Sequence, residues 1–370
     1  GNGWTKGFGD YGYDADGNKV PLYTYTLDED NNATITGYKG NASYLHIPET
    51  IDGYTVVGIG SGAFRENKTI ESVELPLSIK AIGNWAFKDC LNLRKINLPM
   101  NLQSVDTYGW NWRYPFSGCY ALKEIEFEEG ITSIPECIFA DTGLEEVNIP
   151  DTVTNIGQRA FAYCEKLSYL HLSDNLQGIG NYAFRNTIML KELKVPKTLT
   201  DIDTYGWNWQ YPFSGSGIKN IEWSEGITRV PYALFGECEN LKSVKIPRTI
   251  TEIRERSFAD CIALENVDIP DSVTSIGASA FKGCQSLQNI ELPKGLTFIG
   301  NYAFRNCTAL KKINVPKTLI TVDTYGLNYQ CPFDNCKSLE EIIFEKGRVG
   351  IPDCLFENAI GSDKGVNIVI

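Results

Sequence analysis

Residues 264–286 read LENVDIPDSVTSIGASAFKGCQS, and residues 287–309 repeat the pattern as LQNIELPKGLTFIGNYAFRNCTA. The 23 residues before them, 241–263, follow it too. Each unit reads L-x-x-φ-x-φ-P-x-x-φ-x-x-I, then an Ala-Phe or Ser-Phe pair and x-x-Cys, where φ is an apolar residue. A unit this short can bury its apolar side chains only against its two neighbours. The pattern therefore predicts a stacked solenoid rather than one globular core.

The composition is that of an ordered, acidic protein. Of 370 residues, 42% are hydrophobic and 22% are charged, and the net charge is −12. No basic cluster of the kind that neutralises phosphates is present, so we expect no nucleic-acid partner. No apolar run reaches the roughly 18–20 residues that span a bilayer. The first residues, GNGW, lack the basic start and apolar stretch of a leader, and we interpret the chain as a mature region.

Within a unit, the segment before the proline alternates and predicts a strand, one per coil of a parallel sheet. The proline ends this strand because it cannot donate to the ladder. A second extended segment follows on the opposite wall, and a short helical turn is expected to carry the Phe that plugs the core. We count thirteen units, with strand segments that begin near Ala42, Ile70, Leu93, Leu122, Leu144, Leu167, Leu190, Ile218, Leu241, Leu264, Leu287, Leu310 and Leu339.

The two ends of the chain depart from the repeat. Residues 1–40 have no repeat signature, and within them residues 23–27 and 34–38 alternate around a polar turn, which predicts a β-hairpin cap. Residues 41–370 are predicted to form a single continuous solenoid domain. Residues 366–370 read as its closing strand.

The repeat resembles the bacterial BspA-type leucine-rich repeat. The resemblance covers roughly residues 25–360 and includes a similar lead-in at residues 34–40 and 47–53. It implies a mainly β, right-handed, curved leucine-rich-repeat solenoid. It also implies a secreted or cell-surface location, since family members are typically surface-attached and those understood are adhesins. The residues that carry it are Pro270, Ile276, Gly277, Ala280, Phe281, Cys284 and Leu287.

Three units contain an aromatic insert between the Ile and the Phe. The Ile lies five residues before the Phe in a regular unit, as in Ile179 and Phe184, but eleven before it in Ile202 and Phe213. Each insert therefore adds six residues. All three leave the coil at the same point, so we expect them to project from one edge, about 20 and 24 Å apart. The three stretches are residues 106–116, 203–213 and 323–333.

The insert aromatics are candidate ligand contacts. Trp and Tyr combine flat apolar area with a polar group, dominate binding hot spots and can stack on sugar rings. Four of the seven tryptophans lie in two of the inserts. The candidate contacts are Trp110, Trp112, Tyr114, Trp207, Trp209, Tyr211 and Tyr329.

Packing within the chain is the other interpretation of these aromatics. The unit after each insert carries a bulky strand residue, Phe127, Trp223 or Phe344, and replaces Ile-Gly by Ile-Pro or Val-Pro. Insert and following unit thus vary together, which favours inserts that fold back onto the next coil as a buttress. Both interpretations hold if one ring of each insert is exposed.

Ten of the eleven cysteines fall into two groups, and Cys137 occupies the position of the second group in a unit whose neighbours lack a Cys there. Eight lie three residues after a plug Phe, where other units place Asn, Thr, Ser or Ala, so this position predicts small, packed free thiols. Their 23-residue spacing matches no zinc motif, and we expect no metal. Cys331 and Cys354 instead lie two residues before a plug Phe in adjacent units, which leaves a disulfide between them open.

The sequence offers no convincing catalytic site. His46 and His171 are the only histidines and are five coils apart, so we expect neither a Ser-His-Asp nor a Cys-His arrangement, no enzyme and no cofactor. The outward strand positions are a second candidate surface. They are polar and mixed, with an acidic patch from Glu124 to Glu146, and we expect them to lack exposed aromatic anchors.

These observations favour a non-enzymatic module of adhesion or protein recognition, extracellular or on the cell surface of a bacterium. Its partner would be a host or neighbouring-cell surface protein. The alternative is a glycan-binding module that uses the same insert rings.

Overall fold

The computed structural model describes residues 6–8, 11–13, 15–105, 113–199, 201–202, 211–322, 330–360 and 365–370. The chain contains two compact units, residues 1–173 and 174–370. The described residues contain strands and turns but no helix. Accordingly, no described helix is long and apolar enough to cross a bilayer.

Residues 1–173 contain two series of parallel strands. One sheet has the order β6-β9-β11-β13, and β15 pairs with β17. The outward side of these strands is called the strand face. The opposite wall holds β5-β8-β10-β12 and the pair β14-β16. The strands are β1 Lys6–Phe8, β2 Tyr11–Tyr13, β3 Lys19–Pro21, β4 Tyr23–Leu27, β5 Ala33–Tyr38, β6 Tyr44–His46, β7 Thr50–Ile51, β8 Tyr54–Ile59, β9 Ser72–Glu74, β10 Ala81–Ile82, β11 Lys95–Leu98, β12 Ser104–Val105, β13 Glu124–Phe127, β14 Ser133–Ile134, β15 Glu146–Asn148, β16 Asn155–Ile156 and β17 Tyr169–His171.

Residues 174–370 repeat this arrangement. Their strand face is formed by the pair β19-β21 and by the parallel sheet β23-β25-β27-β29-β31-β32. The opposite wall holds the pair β18-β20 and the sheet β22-β24-β26-β28-β30. The strands are β18 Gly178–Ile179, β19 Glu192–Val195, β20 Asp201–Ile202, β21 Asn220–Trp223, β22 Arg229–Val230, β23 Ser243–Lys245, β24 Glu252–Ile253, β25 Asn266–Asp268, β26 Ser275–Ile276, β27 Asn289–Ile290, β28 Phe298–Ile299, β29 Lys312–Val315, β30 Thr321–Val322, β31 Glu341–Phe344 and β32 Asn367–Val369.

The strand register confirms the repeat. Val267 of β25 pairs with Ile290 of β27, 23 residues later, so equivalent side chains lie on adjacent rungs. The hairpin also matches its prediction, because β4 and β5 pair antiparallel from Tyr23 to Tyr38. A further antiparallel sheet, β1-β2-β3, precedes it and was not predicted.

The plug phenylalanines of successive coils stack on one another in the core. The rings of Phe258, Phe281 and Phe304 are fully buried and follow one another at centroid distances of 5.4 and 5.2 Å, each pair tilted by 9°. Burial of one such side chain stabilises the fold by about 1.5–3 kcal/mol, and ring stacking adds about 0.5–1.5 kcal/mol. Since each ring stacks on the rings of the coils before and after it, the core is built coil by coil.

The segment that carries each plug differs from its prediction. It is a turn, because residues with positive φ flank the Phe and interrupt any helix: Ser279 at 55° and Gly283 at 76° lie on either side of Phe281. The Phe281 N–H donates to the Ala303 carbonyl of the next coil at 2.7 Å. This segment therefore adds a third ladder of backbone hydrogen bonds between coils.

Candidate functional site

The three inserts leave the coil between the opposite wall and the plug Phe. Around the first insert, Val105 pairs with Ile82 of the preceding coil, and the ring of Phe116 stacks on Phe87 at 4.9 Å. The second and third inserts are flanked by equivalent stacks of 5.0 Å. The coil is thus regular on both sides of each insert. This side of the fold is called the insert edge.

The centres of the inserts fall in residues 106–112, 203–210 and 323–329, outside the described residues. Five candidate contacts lie there and remain predictions: Trp110, Trp112, Trp207, Trp209 and Tyr329.

Two of the predicted contact residues are buried. Tyr114 exposes 8% of its surface and Tyr211 exposes 2%. Their rings pack inside the chain, so these two residues cannot supply exposed contact area. For these positions the buttress interpretation describes the structure better.

Each of these tyrosines is tied to an arginine 45 residues further along the chain. Arg159 Nη1 donates to the Tyr114 hydroxyl at 3.5 Å, and Arg159 itself is only 7% exposed. Arg256 makes the equivalent hydrogen bond to Tyr211. Burial raises the pKa of both tyrosines to about 12, and the arginines oppose this rise. The phenols therefore stay protonated and act as fixed anchors at the end of the insert.

The third insert has a covalent anchor at the same place. Cys331 lies two residues before its plug Phe, as Tyr114 and Tyr211 do. Its Sγ is bonded to Cys354 of the next coil, with the Cα atoms 5.5 Å apart. The disulfide that the sequence left open is therefore present, and it takes the place of the tyrosine–arginine pair.

The coil before each insert carries an aromatic–cation pair, which the sequence reading missed. Its signature is Ile-Gly-Asn, then Trp or Tyr, then Ala-Phe and Lys or Arg. The guanidinium of Arg185 lies 4.3 Å from the Tyr182 ring, and Arg305 lies 4.3 Å from Tyr302. Such cation–π contacts are worth about 0.5–2 kcal/mol. The signature could have been found by comparing the three coils that precede inserts.

In the coil before the first insert, the aromatic ring is surrounded by three cations instead of one. Trp85 has three cations within 5 Å of its ring centroid: Arg65 at 4.9 Å, Lys88 at 4.4 Å and Arg113 at 4.8 Å. Arg113 is the residue that re-enters the coil after the insert, and its carbonyl accepts a hydrogen bond from the Trp85 N–H. The base of the first insert is therefore fixed to the preceding coil as well.

The bulky strand residues after the inserts pack differently from what was expected. Trp223 meets Phe235, the plug of its own coil, edge to face at 6.2 Å, and donates from Nε1 to the Lys245 carbonyl. Phe344 meets Phe356 in the same way at 6.3 Å. These rings therefore pack against the plug Phe of their own coil. The contacts with later coils are made by the insert tyrosines, as in Tyr114 and Arg159.

The strand face is polar, but it does expose aromatic rings, contrary to the sequence expectation. Tyr44 is 58% exposed and Tyr169 is 51% exposed. The Tyr44 hydroxyl donates to Glu74, and His46 Nδ1 lies 3.2 Å from the same carboxylate. The hydrogen bond from Tyr44 holds the pKa of Glu74 below its ordinary value. Both histidines lie on this face, in β6 and β17.

Residues 1–173 and residues 174–370 each have an open groove on the strand face. In residues 1–173 a groove of about 700 Å³ includes Glu124, Glu126 and Glu146. Lys95 lies 3.6 Å from Glu126 and 4.0 Å from Glu124, so part of this acidic patch is paired. In residues 174–370 a groove of about 870 Å³ is lined by both charge signs.

The nine unbridged cysteines are buried free thiols, which confirms the packing role predicted for the eight that follow a plug Phe. Cys284 and Cys307 each donate from Sγ, at 3.3 Å, to the carbonyl of the plug Phe in the preceding coil. Burial raises the pKa of Cys164 to about 11 and that of Cys238 to about 12. Nucleophilic chemistry requires the thiolate, so at neutral pH these groups are structural.

The family profile described as "BspA type Leucine rich repeat region" matches six copies in this chain, over residues 38–111, 112–211 and 209–332. A leucine-rich repeat protein from Bacteroides ovatus is 27% identical, with 95% of this chain and 99% of that chain covered and a TM-score of 0.46. A leucine-rich cell surface protein from Faecalibacterium prausnitzii is 25% identical, with coverages of 93% and 97% and a TM-score of 0.44. No curated protein sequence matches the chain.

Proposed function

Because the chain belongs to the BspA-type leucine-rich repeat family, we propose that it is a non-enzymatic recognition module that binds a protein on a host or neighbouring cell. Proteins of this family are typically protein-interaction or surface modules. The finer proposal is adhesion from an extracellular or cell-surface position. The binding surface is the insert edge, and the strand face is the second candidate.

One observation carries this proposal: the chain fixes the base of three aromatic inserts by matching devices. An aromatic–cation pair lies in the coil before each insert, as in Tyr182 and Arg185. A tyrosine–arginine hydrogen bond or a disulfide lies at its end, as in Tyr114 and Arg159. A loop held at both ends loses little entropy on binding, and preorganisation of this kind raises affinity. The proposed contacts are Trp110, Trp112, Trp207, Trp209 and Tyr329.

The experiment compares binding of the wild type and a Trp112→Ala/Trp209→Ala double variant to an array of host matrix proteins and glycans. We expect the double variant to lose at least about tenfold in affinity for its protein partner, because aromatic hot-spot residues contribute about 2 kcal/mol or more each. Tyr169→Ala, an exposed aromatic on the strand face, is the matched control. Unchanged binding in the double variant, or its failure to fold, would contradict the insert-edge proposal.

Glycan binding through the same insert rings is the alternative. It is favoured by the ability of Trp and Tyr to stack on sugar rings. A change in tryptophan fluorescence on addition of oligosaccharides, without binding to any protein of the array, would select it over protein recognition.

A further inference from the structure

A small groove of about 390 Å³ lies on the insert edge of residues 174–370, outside the insert rings proposed above. Its floor crosses successive coils that are joined by backbone hydrogen bonds. The Arg256 N–H donates to the Ala278 carbonyl at 3.0 Å, and the Ser279 N–H donates to the Asn301 carbonyl at 2.8 Å. The Tyr302 N–H donates to the Gln330 carbonyl at 3.1 Å. The volume lies within the range of about 300–1,000 Å³ found for small-molecule sites.

The groove exists because one coil carries a small side chain between two large ones. Arg256, Ser279 and Tyr302 occupy equivalent positions two residues before the plug Phe, and all three are left-handed, with φ of 58°, 55° and 55°. Their side chains therefore leave the backbone from the same place in each coil. Arg256 and Tyr302 are two coils apart, about 9–10 Å at the spacing of strands. Ser279 has the smallest side chain of the three, is only 4% exposed and forms the floor of the groove between Arg256 and Tyr302.

The lining favours an anion. Arg256, Lys282 and Arg305 line or rim the groove, against the single carboxylate of Glu255, in a chain whose net charge is −12. Glu255 lies 3.7 Å from Arg256. Among the described residues, no carboxylate lies within 4 Å of the Lys282 ammonium, whereas Arg305 pairs with Asp334 at 3.1 Å. The charge of Lys282 lowers the pKa of Asp260 against the effect of burial, but Lys282 forms no direct ion pair with it and can pair with an anionic ligand.

The lining also contains the groups that bind a sugar ring. Tyr302 supplies an aromatic surface, and the Arg305 guanidinium, 4.3 Å from the ring, holds it in place. The apolar C–H face of a pyranose stacks on such a ring. Arg256, Ser279 and Gln330 supply planar or hydroxyl groups that hydrogen-bond to sugar hydroxyls. An inorganic anion would use the cations but would leave the ring without a role.

We propose that this groove binds a saccharide residue that carries a carboxylate, such as a hexuronic acid. The pyranose ring lies against Tyr302, the carboxylate pairs with Lys282, and the hydroxyls bond to Arg256 and Ser279. The site does not depend on the insert tryptophans, so it stands or falls separately from the protein-recognition proposal.

The test is calorimetric or NMR titration of the full chain with methyl glucuronide, methyl glucoside and sulfate. We expect the wild type to bind the glucuronide about tenfold or more tightly than the glucoside, since a hydrogen bond to a charged group is worth about 1.5–3 kcal/mol. Lys282→Gln removes that preference and leaves glucoside affinity unchanged. Lys294→Gln, on the strand face of the same unit, is the matched control and changes neither affinity.

A pair of substitutions at Ser279 tests the position of the site. Ser279→Tyr fills the groove with a side chain that the same left-handed position already holds at Tyr302, so the fold is retained and glucuronide affinity falls at least about tenfold. Ser279→Gly keeps the groove open and relieves the positive φ, so it loses the hydroxyl contact but keeps the preference for glucuronide over glucoside. Wild-type protein that fails to bind the glucuronide at millimolar concentration, or that binds glucoside or sulfate equally well, overturns the proposal. Undiminished binding by Ser279→Tyr also overturns it.

Discussion

The rings of Phe304 and Phe333 stack at 5.0 Å and are within 3° of parallel, although an insert separates them in the sequence. The neighbouring pair without an insert, Phe281 and Phe304, stacks at 5.2 Å. The insert therefore does not change the stacking of the plug rings on its two sides. The stack of plug rings is the part of the fold that an insert does not change, and it positions the insert edge.

Loss of one ring from this stack should be strongly destabilising. Phe281→Ala leaves a cavity between two stacked rings and should lower the free energy of unfolding by about 3–5 kcal/mol. The measurement is urea unfolding followed by circular dichroism. Ile320→Ala, at a side chain that is 72% exposed, is the control and should change stability by less than about 0.5 kcal/mol. Equal effects of the two substitutions would contradict a ring-by-ring core.

The glycine of the Ile-Gly pair is required because the backbone of the preceding coil lies too close to it for a side chain. A Cβ at Gly277 would lie 2.5 Å from the Glu255 backbone nitrogen. We expect Gly277→Ala to push the coils apart and to destabilise the protein by about 1–3 kcal/mol. At Gly350 a Cβ meets no atom within 4 Å, so Gly350→Ala should be nearly neutral in the same unfolding experiment. A neutral Gly277→Ala would show that the coils are not in this contact.

The anchor of the second insert should depend on the Tyr211 hydroxyl as well as on its ring. Tyr211→Phe removes the hydrogen bond with Arg256 and should cost about 1–3 kcal/mol. Tyr211→Ala also removes the buried ring, which lies against Gly236, and should cost about 3–5 kcal/mol. Tyr169→Phe, at an exposed ring, is the control. If Tyr211→Phe is as stable as the wild type, the arginine pair is not an anchor.

The buried thiols should be unreactive while the protein is folded. Burial raises the pKa of Cys164 to about 11 and that of Cys336 to about 12, so these groups bear a proton until the pH approaches those values. At neutral pH we expect DTNB to label none of them in the native protein and all nine free thiols in guanidinium chloride. Rapid labelling of native protein would contradict the packing of this ladder.

The repeat, the parallel strands and the plug positions could be predicted from the sequence, because their apolar spacing repeats in every coil. The left-handed backbone at Arg256 and Tyr302 could not, because bulky residues ordinarily avoid positive φ and give no local signal for it. The pairing of Tyr114 with Arg159 joins residues 45 positions apart. It could have been found only by noticing that Tyr211 and Arg256 repeat the same spacing.

The candidate site was predicted less completely than the fold. Tyr114 and Tyr211 were assigned to a ligand surface because composition alone does not distinguish a contact ring from a buried anchor. The exposure of Tyr44 on the strand face was not predicted. The alternation of apolar and polar residues shows which side of the strand a side chain is on, but not how much of its surface is exposed.

Binding at the insert edge can be measured by hydrogen exchange of the chain with and without a bound protein partner. We expect slower exchange in peptides that cover residues 106–116, 203–213 and 323–333, with little change in β23, β25 and β27 of the strand face. Slower exchange in those strands, with unchanged exchange in all three insert peptides, would contradict binding at the insert edge.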